Sequence, residues 1–318
     1  MKVAAACLVK PGRIEIRERE MEMTDDSLRV RILGNGICGT DVAYFQGRVP
    51  GLKYPRFFGH EGVGVIEEVG RNVSGYRQGD LVTGWWGGYS SRVVVSNLKH
   101  TMEVPEELPV ARECAMGDPL QCVMTIVRAA RPEVGDSVAV VGCGFMGLMC
   151  ISVLAGQFLE NLIGIDLLSE RLSAAEECGA TMTINAGEGN VREAVLAATE
   201  GRGVDVCIEI AGKAAAVDLG SAVLKRGRGR LVLGGLHPEP ATYNLLPWAT
   251  KGLEVLNPHP SFSSDVMDDM RRGVDALARG VFPMEKLITH RFKLEDTQKV
   301  FEQASGHKGG YIKGVLVP

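Results

Sequence analysis

Over about the first 115 residues, apolar and polar positions alternate in short runs broken by glycine and proline. That period of two predicts strands at Val3–Val9, Ile14–Arg17, Ser27–Leu33, Gly62–Val69, Leu81–Thr83 and Ser91–Val95. Such a module is all-β or α+β, a distorted barrel in outline. Near Asp118 the texture changes. Pro119 to Ala130 takes helical spacing, and from there to about residue 260 apolar strands alternate with amphipathic or apolar helices. Strands are expected at Ser137–Val141, Leu162–Asp166, Thr181–Ile184, Val204–Ile210, Gly229–Leu233 and Leu253–Leu256. Helices are expected at Gly147–Phe158, Ser169–Cys178, Val191–Thr199 and Ala214–Leu224. Strand–helix alternation at this spacing predicts a doubly wound parallel sheet, making the whole an α/β protein. The remainder reads as a helix (Ser264–Gly280), a segment Ile288–Phe292, a short helix (Leu294–Ala304) and a terminal strand Tyr311–Val317.

A chain of 318 residues exceeds one ordinary core, so more than one domain is expected. The texture places the divisions at residues 1–118, 119–260 and 261–318. Composition changes the picture in one respect: 40 glycines imply many tight turns and close backbone approaches, which suits a site built from loops. The net charge of −4 is spread without blocks, so no basic stripe for nucleic acid is present. The longest apolar stretch, Val138 to Leu154, is broken by glycines and reads as strand, turn and helix rather than a membrane span. Eight scattered cysteines form no disulfide framework and no C-x-x-C pair. With no signal-peptide pattern at Met1-Lys2-Val3, a reducing, cytoplasmic compartment is expected.

The run Val138 to Gly147 is a buried strand followed by Gly142-Cys143-Gly144-Phe145-Met146-Gly147, a G-x-G-x-x-G opening an apolar helix. Gly142 makes the tight turn, Gly144 admits a pyrophosphate, and Gly147 lets the helix pack close to the strand. The first residues of that helix, Phe145 and Met146, offer unpaired N–H groups to an anion. Asp166 ends the next strand 19 residues after Gly147, where a carboxylate accepts ribose hydroxyls and repels a 2′-phosphate. NAD is therefore expected over NADP, although Arg171, one helical turn on, is in reach of a phosphate. A glycine-rich turn that merely packs, with Asp166 as a helix cap, is the plainer alternative.

Two further clusters lie in the N-terminal module: Gly36-Ile37-Cys38-Gly39-Thr40-Asp41 and Gly59-His60-Glu61-Gly62. Taken singly, Cys38 reads as a core cysteine and His60 as a satisfied polar residue. As a thiolate and an imidazole on glycine-flanked turns, they suit zinc, whose catalytic sites take three protein ligands and leave one position open.

The stretch Gly59-His60-Glu61-x-x-Gly64-x5-Gly70-x-x-Val73 resembles the zinc-containing alcohol dehydrogenase signature, and Gly36 to Asp41 resembles that family's first ligand loop. The likeness to the zinc-dependent medium-chain dehydrogenases/reductases continues through Gly79-Asp80-Leu81-Val82, Gly87-Gly88-Tyr89, Asp205–Gly212, Gly234-Gly235 and His290-Arg291-Phe292. It implies a GroES-like catalytic domain interrupted by a Rossmann domain and completed by the C-terminal segment. It makes Cys38 and His60 zinc ligands, with Glu61 an outer carboxylate or transient fourth ligand. Where sorbitol dehydrogenases carry the third ligand in E-P-L, this chain has Asp118-Pro119-Leu120, so that role passes to Asp118, one methylene shorter and able to bind through a water. Cys114 and Cys122 are nearby soft alternatives.

The chain departs from the family pattern in two places. The four-cysteine structural-zinc lobe is missing, because the chain runs straight from Val82 to Trp85-Trp86-Gly87, so one zinc per chain is expected. Ala43 stands where relatives often carry the outer histidine of a proton relay, so protons must leave by water or by another residue.

The implied reaction is NAD-linked oxidation of a secondary alcohol to a ketone. Zinc acidifies the hydroxyl, and Thr40 takes its proton. Gly234 and Gly235 let backbone groups reach the nicotinamide. A carboxylate ligand points by resemblance to polyols, sugars, sugar phosphates or amino alcohols. Tyr44, Phe45, Arg48, Trp85, Trp86 and His259 are candidates to line the pocket. The resemblance further implies a homodimer or homotetramer. The competing readings are a zinc-free quinone or enoyl reductase and a catalytically silent NAD(P)-binding protein.

Overall fold

The computed structural model describes residues 1–306 and 310–318. The first strands are β1 (Lys2–Lys10), β2 (Arg13–Glu20) and β3 (Leu28–Gly36), followed by helix α1 (Gly39–Phe45). Next come β4 (Arg56–Phe57), β5 (Glu61–Val69), β6 (Leu81–Gly84), β7 (Arg92–Val95), β8 (Thr101–Glu103) and α2 (Gly117–Ala130). The parallel-sheet segment is β9 (Ser137–Val141), α3 (Phe145–Leu154), β10 (Asn161–Asp166), α4 (Ser169–Glu177), β11 (Met182–Asn185), α5 (Val191–Ala198), β12 (Val206–Glu209), α6 (Ala214–Val223), β13 (Arg230–Leu233), α7 (Leu246–Lys251) and β14 (Glu254–Leu256). The chain closes with α8 (Val266–Ala278), α9 (Met284–Leu287), β15 (His290–Phe292), α10 (Thr297–Gly306) and β16 (Gly314–Leu316).

Two compact units result: Met1–Gln121 with Asp265–Gly280 and Met284–Pro318, and Cys122–Ser264 with Val281–Pro283. In the first unit a sheet runs β15-β16-β3-β5-β6-β8, with β7 also pairing β3, beside a smaller sheet β2-β1-β4. The long central strand β3 carries Val30 and Ile32 inward and breaks register at Arg29/Val30 and Ile32/Gly34. Such bulges bend a strand and re-aim the residues beyond it. Among the described residues, one apolar cluster of this unit lies around Val30, Ile66, Val82 and Trp86, and another around Phe45, Phe58, Tyr89 and Phe301.

In the second unit six parallel strands run β11-β10-β9-β12-β13-β14. That order reverses direction between β9 and β12, the switch point where such sheets bind dinucleotides. All five residues of β9 are buried, as a central strand covered on both faces requires.

Several elements differ from the sequence pattern. Residues 36–41, read as a turn, run into α1, so Thr40 lies on a helix. Helix α3 begins at Phe145 and ends at Leu154, before Gly156, rather than spanning Gly147–Phe158. The short elements β4, β8, α7 and α9 gave no periodic signal, since two to six residues cannot show one. No helix among the described residues is long and apolar enough to cross a membrane.

Candidate active site

Strand register brings the two ligand loops of the first unit together. In the β3–β5 ladder Gly36 lies opposite Glu61, so Cys38, just past the end of β3, and His60, just before β5, leave the sheet side by side. In the β16–β3 ladder Val315 lies opposite Gly36, which delivers the preceding Lys313 to the same edge. Among the described residues, one group of three metal-ligating side chains has ligand atoms within 4.8 Å of one another: Cys38, His60 and Glu61.

Asp118 joins them from the first turn of α2, its Oδ2 lying 3.7 Å from His60 Nε2. That separation is too long for a hydrogen bond and suits two donors sharing one ion. The position of Asp118 is set by Thr83, a fully buried residue of β6. The Thr83 hydroxyl donates to Gly62 O at 2.7 Å and accepts from Gly117 N at 2.6 Å, tying β5 to the start of α2.

On the other face of the His60 ring, Asp41 Oδ1 lies 3.6 Å from Nδ1. This carboxylate is buried, and Tyr89 places its hydroxyl 2.7 Å from Asp41 Oδ2 and 3.0 Å from Gly36 O. Glu61, also buried, pairs with the Lys313 ammonium at 2.5 Å, and the same ammonium donates to Ile37 O at 2.9 Å. Lys313 therefore reaches the residue before Cys38 and the residue after His60 at once. There is no room for a side chain between these groups: a Cβ on Gly36 would lie 2.0 Å from Glu61 Oε2 and 2.6 Å from Met116 Sδ.

The electrostatics call for a cation. Cys38, Asp41, Glu61 and Asp118 present four potential anions, against which Lys313 sets one ammonium. Burial raises the Asp118 pKa to about 6, with Glu61 and Asp41 adding to the rise while His60 and Lys313 oppose it. Burial works against a charged His60, yet Asp41 and Cys38 overcome it and hold its pKa well above the ordinary value. A set of thiolate, imidazole and carboxylate donors short of positive charge has the chemistry of a zinc site.

The two cysteines that are alternatives to Asp118 lie elsewhere. Cys114 is buried, with its thiol pushed up to about 12 by burial, and its sulfur accepts from Arg291 Nη2 at 3.6 Å. Neither it, nor Cys122, nor Asp118 belongs to the three-membered ligand group among the described residues, but Asp118 lies beside His60. None of the eight cysteines forms a disulfide among the described residues. Of the pocket candidates, Phe45 and Trp86 are buried in the apolar clusters. Tyr44 lies under the Arg56 guanidinium, and Arg48 bonds Gln46 on the surface. Trp85 is 41% exposed, edge-on to His100, and His259 accepts from Ser261 N in the second unit. The Thr40 hydroxyl makes no hydrogen bond among the described residues, so it does not spend its proton on its own turn.

In the second unit the glycine turn has the form the motif requires. Gly142 adopts φ of +103°, and a Cβ on Gly147 would fall 1.9 Å from Gly142 O. A Cβ on Gly144 would meet only Arg171 Nη1, at 4.0 Å, so the space before α3 is open. Phe145 and Met146 open α3 with Gly144 as its cap. Asp166 Oδ2 accepts from Cys143 N at 2.7 Å, and Oδ1 from Leu167 N and Leu168 N at 2.8 and 3.0 Å. Three of roughly four acceptor positions on the carboxylate are thus taken, leaving about one for a ribose hydroxyl rather than two. Arg171 Nη1 lies 3.9 Å from the same carboxylate. Gly234 and Gly235 both donate their N–H to Glu209 O, at 2.8 and 3.0 Å.

Sequence reasoning missed Lys313, Thr83 and the Tyr89–Asp41 contact. Lys313 and Thr83 lie outside the clusters of chemically suggestive residues and are brought in by strand pairing, whereas Asp41 lies in the Cys38 cluster and only its contact with Tyr89 went unread.

Comparison with known proteins gives the family. Residues 24–106 match the alcohol dehydrogenase GroES-like domain and residues 146–277 match the zinc-binding dehydrogenase family. The starvation-sensing protein RspB of Escherichia coli K12 is 30% identical over 334 residues, covering 94% of this chain and 95% of RspB. D-xylulose reductase A of Aspergillus niger is 28% identical over 316 residues, covering 88% of this chain and 87% of that one. A protein described as a zinc-binding dehydrogenase from Sinorhizobium meliloti 1021, solved bound to NADP, is 27% identical with a TM-score of 0.88 over 100% of both chains. The two units and their sites define a zinc- and nicotinamide-dependent oxidoreductase. The chain belongs to the zinc-dependent medium-chain dehydrogenase/reductase family, among its alcohol and polyol dehydrogenases.

Proposed function

We propose that this enzyme oxidises a secondary alcohol of a polyol, sugar, sugar phosphate or amino alcohol to the ketone, using one zinc ion per chain and NAD. The observation that carries the reading is the convergence of Cys38, His60 and Glu61 at one edge of the β3–β5 ladder, with Asp118 Oδ2 3.7 Å from His60 Nε2. A carboxylate among the donors, and a relative named for the ketose D-xylulose, support a polyhydroxy substrate.

Zinc, when bound, supplies a Lewis acid that lowers the pKa of a substrate hydroxyl, and the nicotinamide supplies the hydride acceptor. Cys38, His60 and Asp118 would hold the metal. Asp41 faces the far nitrogen of His60 and keeps the ring turned toward the site, and Tyr89 steadies Asp41. Glu61 stays in reserve as an outer carboxylate or transient ligand, its charge balanced by Lys313. Thr40, whose hydroxyl has no other partner among the described residues, would accept the substrate proton. Ala43, buried in α1, cannot pass it on, so water or another residue must.

Gly142, Gly144, Phe145, Met146 and Gly147 would seat the diphosphate at the start of α3, where the helix N-terminus favours an anion. Asp166 would accept from the ribose and disfavour a 2′-phosphate. Arg171 beside it is the group that would soften this preference, and the Sinorhizobium relative was solved with NADP. Gly234 and Gly235 would serve the nicotinamide end. A cytoplasmic homodimer or homotetramer completes the reading.

The test is reduction of NAD⁺ across a panel of polyols, sugar phosphates and amino alcohols, with and without chelator. Turnover on a member of the panel that chelation abolishes is expected. Turnover of quinones or enones that survives chelation would favour the zinc-free reductase.

A further inference from the structure

A buried acid stands at the carboxyl ends of the parallel strands. Glu209, the last residue of β12, is fully buried. Its Oε1 accepts from Gly212 N at 2.7 Å, and its Oε2 lies 2.9 Å from His237 Nε2. The Tyr243 hydroxyl lies 3.5 Å from His237 Nδ1, and the Tyr243 ring stands edge-on to the imidazole. The Glu209 backbone oxygen takes the N–H groups of Gly234 and Gly235. One residue therefore ties the turn after β12 to the turn after β13, by backbone and by side chain.

The location gives this knot its meaning. In a sheet of this order the diphosphate belongs at the β9–α3 turn and the adenosine ribose at the end of β10. The other half of the dinucleotide is left to the ends of β12 and β13, which is where Glu209, Gly234, Gly235 and His237 lie. A buried carboxylate without partners is costly, so the two donors it holds, Gly212 N and the His237 ring N–H, are fixed relative to each other. The His237 side chain is 18% exposed, mostly enclosed but open on one side.

We propose that Glu209 and His237 form a positioning pair for the nicotinamide half of the cofactor. The pair holds the Gly234–His237 turn in the shape that receives the ring, and Tyr243 braces the imidazole. His237 acts through the turn rather than on the reacting atoms. The inference rests on the proposed use of a nicotinamide dinucleotide by this unit.

The experiment measures equilibrium binding of NADH and of ADP-ribose, which lacks the nicotinamide, to the full chain and to His237→Phe and His237→Gln. Phenylalanine keeps bulk without a donor; glutamine keeps an N–H for Glu209. The bond lies within the protein, so affinity falls only by the part of its worth that goes into ordering the turn for the ligand, up to roughly tenfold. His237→Phe is expected to weaken NADH by up to about tenfold and ADP-ribose by less than about twofold, with His237→Gln recovering much of the loss. Should His237→Phe prove too unstable to purify, the Gln variant and Tyr243→Phe give the same comparison with smaller expected losses. Equal weakening of both ligands, or unchanged NADH affinity, would overturn the positioning role. Wild-type protein that binds neither ligand would instead overturn the dinucleotide reading beneath it.

Discussion

The Lys313 ammonium sits 2.5 Å from the Glu61 carboxylate, an ion pair between the residue just before the last strand and the residue next to a zinc-ligand candidate. Both side chains are almost wholly buried, at 5% and 3% exposure. Buried charges persist only when paired, and removing one partner of such a pair costs about 3–5 kcal/mol. Lys313→Met should therefore lower the denaturation midpoint strongly, and adding Glu61→Gln should restore part of the loss. Denaturant unfolding of the single and double variants checks this. Two independent, additive losses would mean that the pair carries no coupling.

Thr83 gives a second prediction. Its hydroxyl bridges Gly62 O and Gly117 N, the strand behind His60 and the turn that presents Asp118. Thr83→Val strands two buried backbone groups, at about 1–3 kcal/mol each. It should also weaken zinc affinity by about ten- to a hundredfold, the range for groups that orient ligands. Thr83→Ser, which keeps the hydroxyl, should bind zinc nearly as the wild type does. A competition titration against a chelator reads both.

The acid–base balance of the metal-free site predicts an unusual pH response. Asp118 titrates near 6 when folded, because burial opposes its charge, against an ordinary value of 3.8. Between those values the folded state holds the proton and the unfolded state does not, so stability falls as pH rises from about 4 to about 6. His60, raised well above 6.5, adds a fall in the same direction at higher pH. For Asp118 alone the difference is on the order of 3 kcal/mol. Chelated protein should lose stability between pH 4 and pH 6, Asp118→Asn should flatten that slope, and added zinc should reverse it. Thermal melts of the three across that range are the check.

In the proposed reading, cofactor choice turns on Asp166. Its charge would meet a 2′-phosphate, while Arg171 lies within 3.9 Å to receive one. Asp166→Ser should raise NADP⁺ use relative to NAD⁺ by at least about tenfold, as one charge–phosphate clash is worth at least one hydrogen bond to a charged group. The ratio of kcat/KM values for the two cofactors is the measurement.

Much of the fold and part of the site are legible in the sequence. The Rossmann strands are long apolar runs bounded by glycine, and the G-x-G-x-x-G turn behaves as its spacing predicts, down to the contact that forbids a Cβ at Gly147. Cys38 and His60 stand out by their chemistry and flanking glycines. Register is the part that the pattern does not carry. Lys313 and Thr83 reach the site because β16 pairs with β3 and β6 with β5 in the register they do, and that register leaves no trace in the local pattern. Helix α1 is hidden for another reason: seven residues opened by a glycine carry too little period to separate a helix from a turn. Phe45 and Trp86 read as pocket aromatics in sequence, and the structure packs both rings into apolar clusters.

The metal site is the centre of the proposed chemistry, and zinc per chain in wild type and Asp118→Ala, by elemental analysis, tests it most directly. About one zinc is predicted in the wild type, mostly lost in the variant together with NAD⁺ reduction. An active variant that keeps its full zinc would contradict the role of Asp118 and move the third donor to Glu61. A wild-type protein purified without chelator and free of zinc would contradict the mechanism itself.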